Sequence, residues 1–239
     1  MQQAIDQIVT PALTGLDAVL PSGYAAVLYG SGARGEFVPG VSDVNLLVVC
    51  EALDIAALNR LGGPVRELRN AGHPPPLLIE REEWERATDV FPIEITDMQV
   101  AHTLLRGADP VAGRRVDPAD LRRAVEAELR AKLLRLRQAY AAGTADPEVL
   151  SRVAAGTVSS VATLLRVSLV LAGKPVPAAT PACLVAAGQT LGIDTASVAE
   201  LWARRRKGDR ACPPSLFEGY LSAVAGAVRA TDQFTRGGL

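Results

Sequence analysis

Residues 28–36 read LYGSGARGE, and the run Gly30-Ser31-Gly32-Ala33-Arg34-Gly35 satisfies G-x-G-x-x-G. Three readings compete: a dinucleotide-binding loop, another kind of phosphate cradle, or a glycine-rich turn. A dinucleotide loop must open a crossover helix of about a dozen residues between two parallel strands. Here only EFVPGVS, seven residues, separates Gly35 from Asp43. That segment contains Pro39 and Gly40 and cannot form the crossover. A Walker-type loop is excluded as well, because G-K-[ST] is absent.

Working outward, YAAVLYG (24–30) is a short apolar run with strand character, and DVNLLVVC (43–50) is a second. The second is mostly Val and Leu, as expected of a strand buried on both faces. A helical pattern covers 4–20 and stops at Pro21-Ser22-Gly23. Another covers 53–70, with a break expected at Gly62-Gly63-Pro64. PPPLLIE (74–80) and FPIEIT (91–96) read as further strands.

After residue 115 the character changes. Asp117-Pro118 is a helix start, a capping carboxylate followed by proline at the first position. Helical patterns then occupy 118–141, 147–172, 180–191, 195–207 and 214–235. The chain therefore reads as an α/β domain over 1–115 followed by an all-α helical bundle over 116–239.

The composition is that of an ordinary globular protein: 239 residues, 49% hydrophobic and 21% charged. A net charge of −1 and only 4% aromatic residues argue against nucleic acid as a partner. Cys50, Cys183 and Cys212 are far apart, which implies neither a disulfide framework nor a zinc site. With no charged n-region and apolar run at the start, a cytoplasmic location is the expectation. The apolar stretch Val153–Gly173 carries Arg166 at its middle, a costly placement in lipid. It is read as a buried helix, in the core or at a homodimer interface, with no membrane partner.

The pattern of strand, Gly30-Ser31, short turn, then Ser42-Asp43-Val44-Asn45 at the head of a second strand resembles the signature of the nucleotidyltransferase superfamily. That superfamily includes DNA polymerase beta and the antibiotic nucleotidyltransferases. PIEIT (92–96) is similar to the later strand on which the streptomycin- and kanamycin-type enzymes carry a third carboxylate, here Glu94. A helical domain after the transferase core is also their layout. The resemblance implies an α+β domain with a mixed sheet, Mg²⁺ as cofactor, and an NTP, with ATP the first choice, as substrate. The acceptor would be a hydroxyl of a small molecule or protein.

The chemistry suits these residues. Transfer of NMP needs hard oxygen ligands for metal ions that neutralise the triphosphate. Residues 43 and 45 share one face of a strand, because side chains alternate. The Gly30-Ser31 turn, expected to open a short helix at Ser31–Arg34, offers amides and a hydroxyl to phosphate oxygens. Asp43, Asn45 and Glu94 are the candidate catalytic and metal-binding residues, with Glu94 as third ligand or as base toward the acceptor hydroxyl. The departure is Asn45, where the family pattern has Asp or Glu. An amide oxygen still ligates Mg²⁺ but brings no formal charge, which leaves a single-metal site or impaired two-metal chemistry.

Other positions have two readings each. Arg34 and Glu36 are either phosphate and magnesium contacts or surface charges. Glu80 and Asp97, at strand ends, are read as solvated, and His73 and His102 as structural or exposed. Lys132 falls within the apolar arc of Leu121, Val125, Leu129, Leu133, Leu136 and Tyr140. It either snorkels or, as the resemblance implies, holds triphosphate. ARRRKGDR (203–210) reads as a solvated helix end suited to the C-terminal dipole. A helical ribonuclease of the HEPN type is excluded, because it needs a histidine and 116–239 contains none. Two functions remain: an active nucleotidyltransferase, or an impaired relative that binds nucleotide or a protein partner without transfer.

Overall fold

The computed structural model describes residues 2–20, 23–143 and 146–234. The Pro21-Ser22 stop of the first helix and the expected last helical residue, 235, lie outside them. The chain divides into two compact units, 1–115 and 116–239.

The first unit runs α1 (Gln2–Val19), β1 (Ala25–Tyr29), β2 (Asn45–Cys50), α2 (Ile55–Asn70), β3 (Leu77–Glu80), α3 (Arg81–Glu85), α4 (Pro92–Val100) and β4 (His102–Arg106). The four strands form one mixed sheet in the order β3-β2-β1-β4. β1 is antiparallel to both β2 and β4, and β2 is parallel to β3. The α2 crossover makes that parallel pair possible. Alternate residues explain the layering. Ala26, Leu28, Leu46, Val48 and Cys50 join Ile5, Val9, Leu13 and Leu16 of α1 and Leu61 and Leu68 of α2 in one apolar cluster. Val27, Leu47 and Val49, on the opposite face, are also buried. Both faces of the central strands are therefore covered, which is why they read as continuous apolar runs.

Three local expectations are corrected. α2 is not broken at Gly62-Gly63-Pro64 but continues with Pro64 inside it. Asp54 caps its start, accepting from the Ala57 amide at 2.7 Å. Pro64 is buried where α1 crosses: a Cβ on Gly15 would lie 2.9 Å from Pro64 Cγ. Packing against α1 thus outweighs the lost helical hydrogen bond. Residues 91–96 are not a strand either. Their β-branched alternation gives way to helix α4, with Pro92 at its first turn and Ile95 and Met98 buried one turn apart. Ser31–Arg34 forms a turn and not a helix, closed by Arg34 N–H to Gly30 O (3.2 Å) and Glu36 N–H to Ser31 O (2.9 Å).

The second unit comprises α5 (Pro118–Gly143), α6 (Pro147–Leu171), α7 (Thr180–Leu191), α8 (Ala196–Arg206) and α9 (Pro214–Gln233). α6 touches each of the other four, which explains its apolar composition. It is long and apolar enough to cross a membrane, yet its Arg166 is 1% exposed and donates to Thr180 Oγ1 at 2.8 Å within the unit. Asp146 caps α6 through the Glu148 amide at 3.0 Å. The expected stripe on α5 is buried from Leu121 to Leu136. Tyr140 stacks on Phe217 and donates to Glu218 at 2.6 Å.

Candidate functional site

β1 and β2 bring the sequence-selected residues to one end of the sheet. Their register pairs Tyr29 with Asn45, and on the other side of β1 Tyr29 pairs with His102. Paired residues share a face, so Asn45, Tyr29 and His102 form a polar row. It lies on the face opposite the α1–α2 cluster. Gly30 follows immediately with φ +73. A Cβ built there would stand 2.9 Å from Asn45 Nδ2. Glycine at 30 therefore serves two ends, a left-handed backbone and room for the Asn45 amide.

The turn beyond Gly30 is a set of backbone donors. Among the described residues, nothing accepts from the N–H groups of Ser31, Gly32 or Ala33. Gly32 is buried against Leu28. Successive unpaired amides at a tight turn make an anion-binding concavity. Asp43 is exposed and Asn45 half-buried at the head of β2.

His73 lies at this strand entry. Its Nδ1 accepts from the Val44 amide at 3.4 Å, and its ring lies 6.4 Å from that of Phe37. Nothing in its local sequence places it there. Its position two elements later, just before the Pro74-Pro75-Pro76 approach to β3, becomes meaningful only once β3 is paired beside β2.

Helix α4 supplies the acidic groups. Glu94 is exposed, and Asp97 is buried one turn later on the same helix face. Both carboxylates act on Tyr29. Burial raises the Tyr29 hydroxyl above its usual range, and the charges of Glu94 and Asp97 raise it further. The helix is pinned at its end by His102, whose Nδ1 lies 2.7 Å from the Met98 carbonyl oxygen and whose Nε2 lies 2.9 Å from Asp109 Oδ2. Burial raises the Asp109 carboxyl, but hydrogen bonds from His102 and from the Val111 and Ala112 amides outweigh it and hold the group below its usual value.

Arg34 is not a surface charge. Its side chain is 9% exposed and lies between Asp97 (Nη1–Oδ2 3.2 Å) and Glu36 (Nε–Oε2 3.5 Å). The solvated placement expected of Asp97 is likewise corrected, because this pair buries it. Glu80 is engaged too: its Oε1 accepts from the Leu53 amide at 2.7 Å, and it caps α3. His73 and His102, read as structural or exposed, each engage a backbone group. In the second unit Lys132 pairs with Glu128 at 2.7 Å, one turn back along α5.

Among the described residues there is no group of three or more His, Cys, Asp or Glu able to hold a metal ion. Asp97 is engaged by Arg34, and Asn45 carries no charge. The donor set is therefore not a protein-built two-ion cage. At the head of β2 the chain offers one exposed carboxylate, Asp43, and one half-buried neutral amide, Asn45.

No protein-family model and no curated protein sequence matches the chain. Among solved structures, it is similar to spectinomycin adenyltransferase AAD(9) from Enterococcus faecialis, crystallised with ATP and spectinomycin. The TM-score is 0.53 at 11% identity, and the match covers 95% of this chain and 99% of that one. A likeness at that identity shows a shared fold. The shared fold is a mixed sheet followed by a helical region.

Proposed function

We propose that this chain binds a nucleoside triphosphate, ATP first, at the Gly30-Ser31 turn and transfers its nucleotidyl group to a hydroxyl of a small molecule. The observation that carries this reading is the row of unpaired Ser31, Gly32 and Ala33 amides, at a turn packed against Asn45. It is supported by a fold shared over nearly the whole of an adenyltransferase that binds ATP and a small acceptor.

In this reading the turn amides and the Ser31 hydroxyl hold phosphate oxygens. Asp43 and the Asn45 amide oxygen hold one Mg²⁺, which supplies charge neutralisation at the triphosphate when bound. Glu94, exposed on α4, takes the proton of the acceptor hydroxyl. Arg34 acts indirectly: by holding Asp97 and Glu36 it fixes the turn against α4. Lys132 is assigned to the triphosphate by resemblance only, and its bond to Glu128 would have to open for that role. The protein acts as a cytoplasmic enzyme in this proposal.

A second reading, nucleotide binding without transfer, is favoured by one specific pair of facts. Position 45 is neutral, and Asp97, the buried carboxylate of α4, is already neutralised by Arg34. The experiment that separates the two is Mg²⁺·ATP binding alongside pyrophosphate release over a panel of hydroxylated acceptors. Binding with release supports transfer. Binding with no release for any acceptor supports the second reading. No binding overturns both.

A further inference from the structure

The second unit contains a cationic groove that the reading above does not use. A cavity of about 470 Å³ lies between the first turns of α6 and the α8–α9 connection. Its α6 wall is formed by Glu148, Ser151, Arg152 and Gly156, and the opposite wall by Arg205 and Arg210.

The run Ala203–Arg210 explains how the groove is charged. Its consecutive arginines go three ways. Arg204 is bound to Glu200 (2.8 Å) and Asp209 (3.3 Å). The Arg206 guanidinium lies over the Trp202 ring at 4.9 Å. Arg205 turns to α6 and donates to the Ala155 carbonyl at 3.2 Å, which fixes it at the groove. The connection is tied down a second time where the Cys212 amide donates to Ser151 Oγ at 3.0 Å.

The charges in the cavity do not balance. Three guanidinium groups line it against one carboxylate, Glu148. The neighbouring acids are engaged elsewhere: Glu200 and Asp209 by Arg204, and Asp146 by capping α6. Among the described residues, no carboxylate pairs with Arg152 or Arg210. Gly156 leaves the wall open, because a Cβ there would meet nothing within 4 Å. The volume falls within the range of small-molecule clefts, roughly 300–1,000 Å³.

We propose that this groove binds the phosphate group of a phosphorylated small molecule, at a site contained in the second unit. Three planar, permanently charged forks converging on one cavity match the several oxygens and multiple charge of a phosphate better than a single carboxylate. A strand of nucleic acid would need an extended basic stripe with stacking aromatics, and the charge here is confined to one concavity. The inference does not depend on the nucleotide reading of the first unit.

The test is calorimetric titration of the full chain with metal-free inorganic pyrophosphate at low salt. Wild type, Arg152→Gln and Arg210→Gln are compared. Arg152 and Arg210 are exposed, so both glutamine variants are expected to unfold at the wild-type temperature. The expected result is saturable binding, weakened about tenfold or more by each glutamine change, the size of one lost charge-assisted hydrogen bond. Affinity should fall as salt rises. Absence of saturable binding overturns the proposal. So does binding that both glutamine variants retain in full, since the anion would then sit elsewhere.

Discussion

The Asn45 amide lies against the Cα of Gly30, so close that a Cβ at residue 30 would stand 2.9 Å from Asn45 Nδ2. The Gly30-Ser31 turn and the head of β2 are thus one packed unit. Substitution at either is felt at the other.

Gly30→Ala is expected to destabilise the first unit by about 1–3 kcal/mol, chiefly from placing a non-glycine residue at φ +73. The amide of Asn45 can shift, so the steric part is the smaller. Urea unfolding measures the stability, and ATP titration of the folded fraction should show weakened binding. Wild-type ATP affinity in folded Gly30→Ala would remove the turn from the nucleotide site.

Gly107→Ala is the structural control. Its φ is +71, and a Cβ would lie 2.3 Å from the Tyr24 carbonyl oxygen, which is backbone and cannot swing aside. The loss should exceed that of Gly30→Ala, about 3 kcal/mol or more. A thermal melt matching that of wild type would contradict the β1–β4 pairing at this point.

Asn45→Asp adds a negative charge at the proposed metal position. If transfer is the function, pyrophosphate release with Mg²⁺ should rise by about tenfold or more, the scale of one added charge-assisted contact. An unchanged rate, with ATP still bound, would favour binding without transfer.

Arg34→Met leaves Asp97 and Glu36 without their shared cation in a buried setting. Removing one partner of such a pair costs about 3–5 kcal/mol, so a large fall in the unfolding midpoint is expected. The double change Arg34→Met with Asp97→Leu should recover part of it. A phosphate role for Arg34 predicts the opposite pattern: stability kept and ATP affinity lost.

Acid should destabilise the fold below about pH 4. Asp17 is held below its usual range by hydrogen bonds from the Tyr24 hydroxyl and Arg106. Glu126 is held down by Arg130 and Arg122, and Asp109 by His102 and two amides against its burial. Each folded value lies under its unfolded one, about 3.9 for Asp and 4.3 for Glu. Their stabilisation is therefore complete above the unfolded values and is lost as pH falls through the folded ones. Asp17→Asn should flatten part of the fall in melting temperature between about pH 5 and about pH 3, either side of the unfolded Asp value of about 3.9. A slope identical to wild type would show that Asp17 carries none of it.

Much of the fold follows from short-range patterns in the chain. The apolar runs at 24–30 and 43–50 become β1 and β2. The helices after residue 115 fall where caps, prolines and a 3.6-residue period place them, because those signals are local. The seven residues between Gly35 and Asp43 excluded a crossover helix by length alone, whereas β2 begins at Asn45, so strand alternation does not extend to Asp43. What the chain could not reveal locally was settled by packing. PIEIT carries a strand pattern, yet it is helix α4, because Ile95 and Met98 bury together and His102 ties the helix end. That change moves Glu94 from a sheet edge to an exposed helix face. Pro64 stays within α2 because Gly15 of α1 leaves room for it. Arg34 and Asp97 are 63 residues apart, and nothing in either neighbourhood announces the other. Nor does the sequence show that Arg205 turns inward while Arg204 and Arg206 do not. Local sequence determines periodicity and turns. The pairing of distant charges, and the helix-or-strand state of a short apolar segment, depend on burial free energy that exists only once the other elements are in place.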